Sequence, residues 1–219
     1  MNLTIFGDSV MKGVSYINGK YQISAASFAK SAPLPVDVRC RFGCTSEKGL
    51  DILKKQADRI EPQQTILLEF GGNDSDFDWD DVARRPDEPH GSKVSVRGFE
   101  EHLRAMISLL RARGAKPVLM TLPPIDPFRY FDYISVNRDA DALLHWLKHK
   151  ERIYTFQEQY SLAVNRIGEA CGVPVADVRA AFLRLDDFLP YISDDGIHPN
   201  DDGHALITQT LSDFFERTA

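Results

Sequence analysis

Four short stretches of this 219-residue chain carry side chains suited to acyl transfer. Ser9 stands in Gly7-Asp8-Ser9, directly after an apolar run. A serine hydroxyl becomes a nucleophile when an imidazole takes its proton. The imidazole does this best when a carboxylate holds its other nitrogen and fixes the tautomer. Asp195 and His198 offer such a pair, since two side chains three apart in a turn can meet. Pro199 stiffens the exit of that turn, and Asn200 or Asp201 can cap a following helix. Acyl transfer also needs donors aimed at an oxygen that turns negative. The Ser9 N–H, expected near a helix N-terminus, the Gly43 backbone and the Asn73 side chain are the candidates. Each residue also has a plainer use. Ser9 or Asp8 can cap a helix, and His198 can be a surface side chain. Gly43 and Gly71-Gly72 can serve turn geometry, and Asn73 an Asx-turn.

Other reactive side chains are less suggestive. His90, His102, His145, His149 and His204 do not pair with carboxylates at convincing spacing, which favours solvated or core roles. Cys40, Cys44 and Cys171 form no C-x-x-C pair and read as free thiols of a reducing compartment. No cluster of Cys and His has zinc-ligand spacing.

Short apolar runs alternate with helical patterns, as in a parallel α/β sheet. Strands are expected at 3–6, 36–42, 65–70, 116–122 and 173–178. In the second, Val36, Val38, Cys40 and Phe42 alternate onto one face. Helices are expected at 46–60, 96–113, 153–171 and 201–217, from apolar residues at helical spacing. The implied fold class is a three-layer α/β/α, flavodoxin-like sandwich with a five-stranded parallel sheet, as one domain over 1–219. Ligands bind such sheets beyond the carboxyl ends of the strands. The four chemical stretches all follow predicted strands, so they can meet at one rim. Segments 75–95 and 123–151 exceed plain connections and could wall a pocket. The second carries Phe128, Tyr130, Phe131, Tyr133 and Trp146.

Taken together, the four stretches resemble the SGNH/GDSL hydrolase family. Gly7-Asp8-Ser9-Val10 is similar to its nucleophile block, with Val10 where leucine is commonest. Gly43 in Gly-Cys-Thr-Ser-Glu-Lys-Gly-Leu, Gly71-Gly72-Asn73-Asp74 and Asp195-Gly196-Ile197-His198-Pro199 match the other three in order. The resemblance implies Ser9 as nucleophile, His198 as base and then acid, and Asp195 as its orienting carboxylate. It implies an oxyanion hole of Ser9 N–H, Gly43 N–H and Asn73, with no metal and no cofactor. The G-x-S-x-G elbow of α/β-hydrolases is absent around Ser9.

The expected reaction is hydrolysis of a carboxylic ester through an acyl-enzyme. Asp76, Asp78, Asp80 and Asp81 would repel phosphorylated substrates if they faced the site, which tilts the substrate toward a small acyl ester such as an acetylated carbohydrate. A thioesterase or lysophospholipase is the alternative. Another class is a metal-dependent phosphoesterase with Asp8, Asn73, Asp195 and His198 as ligands, and a carbohydrate-binding module comes last. The net charge of -6 argues against a nucleic-acid partner. No apolar stretch approaches the roughly 20 residues of a membrane span, and the first residues show no leader pattern. A cytoplasmic protein acting on a small-molecule ester is expected; the oligomeric state is not legible in the sequence.

Overall fold

A computed structural model describes residues 3–33 and 35–218. Met1 and Asn2, where the stretch read for a leader begins, lie outside the described residues, as do Leu34 and Ala219. The elements in chain order are β1 (Leu3–Gly7), β2 (Val14–Ile17), β3 (Lys20–Ile23), α1 (Phe28–Ser31), β4 (Val36–Val38) and α2 (Ser46–Gln56). Then come β5 (Thr65–Glu69), α3 (Trp79–Arg84), α4 (Val96–Ala112), β6 (Lys116–Met120) and α5 (Pro127–Ser135). The last are α6 (Ala140–Leu147), α7 (Arg152–Cys171), β7 (Val175–Ala176), α8 (Val178–Leu183) and α9 (Asp201–Thr218).

The central sheet has five parallel strands in the order β4-β1-β5-β6-β7. Counted within the sheet alone this is 2-1-3-4-5, the doubly wound flavodoxin-like order. Side chains alternate between its faces, as the pleat requires. Phe6, Ile66, Leu68 and Leu119 point to one core, where they meet Leu53 of α2, Leu103 and Met106 of α4 and Val164 of α7. Leu3, Ile5, Leu67 and Met120 point to the other, where they meet Phe28 of α1, Phe182 of α8 and Leu211 of α9. A strand covered on both faces loses the alternation of polar and apolar residues. All five residues of β1 and of β5 are accordingly buried.

Three differences from the expected elements shape the site. First, β4 ends at Val38 rather than running to residue 42, because it is an edge strand with one neighbour. Its chain still follows β1, with Arg39 N–H donating to Ile5 O at 2.8 Å and Arg41 N–H to Gly7 O at 3.1 Å. Phe42 consequently turns outward and is 51% exposed. Second, Ser9 leads into a turn and the antiparallel β2–β3 hairpin, not into a helix. The expected helix N-terminus at the Ser9 N–H is therefore corrected: Val14 N–H returns to Ser9 O at 2.9 Å and closes the turn. Third, the two long segments fold as short helices, with α3 in the first and α5 and α6 in the second. They pack on each other through Phe77, Trp79, Tyr130, Phe131 and Trp146, a third apolar cluster beyond the strand ends.

Candidate active site

β1 delivers Asp8 and Ser9, the chain after β4 delivers Gly43, and β5 delivers Asn73. The turn before α9 delivers Asp195 and His198. Ser9, Gly43, Asn73 and His198 line one cavity of about 310 Å³, and Asp195 lies behind the imidazole. β1 and β5 are the neighbours from which connections leave in opposite directions, so the cavity sits at the switch point of the sheet.

His198 Nε2 lies 2.9 Å from Ser9 Oγ, and Nδ1 lies 2.5 Å from Asp195 Oδ2. All three residues are buried. Asp195 Oδ1 accepts the backbone N–H of Ile197 at 3.2 Å and of His198 at 3.1 Å, so its second oxygen is directed at the ring. A proton on Nδ1 then faces the carboxylate, and the Ser9 hydroxyl donates to Nε2.

The turn that holds Asp195 and His198 is braced from two sides. From the β2–β3 hairpin, Ser15 Oγ donates to Pro199 O at 2.9 Å and Tyr16 N–H to Ser193 Oγ at 3.2 Å. From the start of α5, Gly196 O accepts the Asp126 N–H at 2.8 Å. Gly196 has φ +79, and a Cβ there would lie 2.6 Å from Asp126 O and closer still to Tyr130 N. Only glycine satisfies both the backbone angle and the space.

The donor candidates are arranged as follows. Gly43 adopts φ +66 at the cavity wall, just before Thr45 caps α2. Asn73 Nδ2 donates to Asp8 Oδ2 at 2.9 Å. Its neighbour Asp74 is wholly buried and accepts the Ser46 N–H at 3.0 Å as well as the Ser46 hydroxyl. This clamps the Asn73 loop to the Gly43 loop. Burial pushes the Asp74 carboxyl up to about 6, against the Ser46 hydrogen bonds, which pull it down. Ser46 Oγ also meets His102 Nδ1 at 2.9 Å. Ser46 is fully buried and does not line the cavity, so this second Ser-His-Asp grouping joins the two loops away from it.

Sequence reasoning missed three features. The Ser46–Asp74–His102 contact joins residues too distant in sequence to suggest a pair. Glu69 reads as one polar position in an apolar strand, yet it lines the cavity behind Ser9. The hairpin had a signal: Asn18-Gly19 between two short β-prone runs, with φ 51 and 76, is the two-residue turn such hairpins favour.

The acidic run does not face the cavity as a group. Asp76 lines it, but its carboxylate accepts from Tyr130 OH at 2.6 Å, Trp79 Nε1 at 2.7 Å and Lys93 Nζ at 2.7 Å. Asp78 caps α3, Asp80 pairs with Arg138, and Asp81 pairs with Arg84 and Arg85. Among the other histidines, His145 and His90 meet Asp87 and Asp81, and His204 is buried with Nε2 3.0 Å from Val14 O. Cys40, Cys44 and Cys171 are free thiols. No helix among the described residues is long and apolar enough to cross a membrane.

The model of the GDSL-like Lipase/Acylhydrolase family matches residues 5–206. No curated protein matches the sequence. Solved structures share the fold. A lipase/acylhydrolase from Enterococcus faecalis superposes with a TM-score of 0.66 at 20% identity, covering 100% of this chain and 97% of its own. A GDSL-like lipase from Bacteroides thetaiotaomicron VPI-5482 gives 0.67 at 14%, covering 100% and 89%. A psychrotrophic esterase from Pseudoalteromonas sp., whose structure is described as inhibited by monoethylphosphonate, gives 0.62 at 15%, covering 99% and 97%.

Proposed function

Since the chain belongs to the GDSL-like lipase/acylhydrolase family, we propose that it hydrolyses a carboxylic ester through an acyl-enzyme formed on Ser9. The observation that carries this reading is the line from Ser9 Oγ to His198 Nε2, 2.9 Å, and from His198 Nδ1 to Asp195 Oδ2, 2.5 Å. Ser9 Oγ attacks the ester carbonyl carbon while His198 Nε2 takes its proton. Asp195 holds the ring in the required tautomer and stabilises the imidazolium. The carbonyl oxygen becomes an oxyanion and receives hydrogen bonds from Ser9 N–H, Gly43 N–H and the Asn73 amide. As the C–O bond breaks, His198 returns the proton to the departing alkoxide. Water then attacks the acyl carbon with His198 again as base, and Ser9 regains its proton when the acid leaves.

A phosphoesterase with Asp8, Asn73, Asp195 and His198 around a metal fits this geometry less well. The Asp195 carboxylate is already spent on His198 and two backbone N–H groups, and Asp8 on Asn73 and Val10. For the acyl group, the lining by Phe77, Trp79, Ile125, Tyr130, Ile153 and Phe156 supports an apolar chain or ring larger than acetyl. Asp76 is neutralised by Lys93, so acidic repulsion no longer favours an uncharged sugar ester. An acetylated carbohydrate retains support from the exposed rings of Tyr21 and Phe42, whose centroids lie 5.7 and 6.0 Å from that of His198.

The test is turnover of aryl esters by the wild type and Ser9→Ala. The variant is expected to fold and to lose turnover; full activity would remove Ser9 from the mechanism. On the wild type, butyryl and hexanoyl esters are expected to exceed acetyl in kcat/KM. A preference for acetyl would restore the sugar-ester reading, and a matched thioester series separates the thioesterase.

A further inference from the structure

Two buried carboxyl groups stand behind Ser9, and the reaction as written gives neither of them a task. Asp8 and Glu69 are each 1% exposed. Glu69 Oε2 accepts the Asp8 N–H at 3.3 Å. Asp8 divides its own oxygens: Oδ1 accepts the Val10 N–H at 2.9 Å, and Oδ2 accepts one N–H of Asn73 Nδ2 at 2.9 Å.

A primary amide has two faces of nearly the same shape, one a double donor and the other an acceptor. Turned over, Asn73 would put its carbonyl oxygen where its nitrogen now lies. An oxygen there would repel an oxyanion instead of binding it. Packing alone discriminates poorly between the two orientations. An ionised carboxylate discriminates completely, because it only accepts. Among the described residues, Asp8 is the partner that holds the Asn73 amide.

We propose that Asp8 is a positioning residue: by holding one N–H of Asn73 it leaves the other, on the same nitrogen, for the oxyanion of the acyl-transfer step. Glu69 supports this from below. Two carboxyl groups in one buried site disfavour each other's ionisation. Burial pushes both upward, and the Asp8 charge pushes Glu69 further. Asp8 is drawn back by the Val10 N–H, His198 and Asn73. With one oxygen on the Val10 N–H and the other on Asn73 Nδ2, both oxygens of Asp8 act as acceptors, which is what fixes the Asn73 amide.

The proposal rests on the reading of Asn73 as an oxyanion donor, and a double-mutant cycle separates the two. Asn73→Ala, Asp8→Asn and the double variant are assayed for kcat and KM on one aryl ester. Asn73→Ala is expected to lose about 100- to 1000-fold in kcat, as oxyanion donors do. In Asp8→Asn the new amide keeps its oxygen on the Val10 N–H and turns its nitrogen to Asn73, which must then flip. Its kcat is expected to fall by a comparable factor with KM within a few-fold of wild type. The double variant is expected to be no slower than the slower single variant, because Asp8 acts through Asn73. Losses that multiply, or an Asp8→Asn variant at full kcat, would overturn the positioning role. Asn73→Ala at full kcat would overturn the donor reading itself, and the positioning role with it. Should Asp8→Asn fail to fold, Asp8→Ser enters the same cycle, since its shorter side chain cannot span to Asn73.

Discussion

At the scale of single residues, the proposed reaction asks Asp195 to hold the His198 imidazole in one tautomer. Asp195→Asn keeps the shape but stabilises the wrong tautomer. Its kcat is expected to drop about 10⁴-fold with the fold retained, measured with an aryl ester beside a circular-dichroism spectrum; a loss under tenfold would contradict the role given to Asp195. Asp74 gives a prediction about stability instead. Its carboxyl is raised by burial from 3.8 to about 6, so the folded chain binds this proton more tightly than the unfolded chain does. The contribution is present below the unfolded value and is lost as the pH rises through about 6. The Tm of the wild type minus that of Asp74→Asn is therefore expected to shrink between about pH 4 and pH 7; a flat difference would contradict it. The residues that meet at the cavity could be picked from the sequence because each sits in a polar, glycine-bearing stretch after an apolar run. Glu69 and Ser46 could not. Their partners lie 61 and 28 residues away, and nothing local marks a buried polar contact of that range.

At the scale of elements, the strands and long helices were legible because burial on two faces, or on one stripe, writes a pattern into the sequence. In α4 the stripe of Phe99, Leu103, Met106, Ile107 and Leu110 is buried throughout, with Ser95 capping the start. The short helices α3, α5 and α6 escaped for a physical reason. They cover one another and the cavity instead of the sheet, so their apolar residues follow tertiary contacts rather than a long period. Their caps were visible all the same: Asp78, Asp126 and Asp139 each accept from the first turn that follows. The contact between α5 and the turn at Gly196 gives an expectation of its own. Gly196→Ala places a methyl group against the α5 backbone at a positive φ. It is expected to cost about 2 kcal/mol or more of stability and to lower kcat by displacing His198. Urea unfolding with a parallel assay checks both, and an unchanged midpoint would show that the turn can relax.

At the scale of the whole molecule, the parallel sheet brings distant stretches to one rim, and a cap of α3 and α5, with α6 packed on α3, stands over it and walls one side of the cavity. The parallel sheet with its helices was implied by the alternation of runs and helices, whereas the cavity's size was not, since it depends on how the cap packs. Trp79 is a wall of that cavity and is tied to Asp76. Trp79→Ala is expected to shift the kcat/KM optimum toward longer acyl chains; an unchanged profile would place the acyl group elsewhere.

The most direct measurement is peptide mapping after reaction with a fluorophosphonate, run on the wild type and on His198→Ala. Phosphorus is expected on the peptide bearing Ser9 in the wild type, with labelling far slower when the imidazole is removed. Stoichiometric label on a different residue, Ser46 included, or labelling of Ser9 at the same rate without His198, would contradict the account.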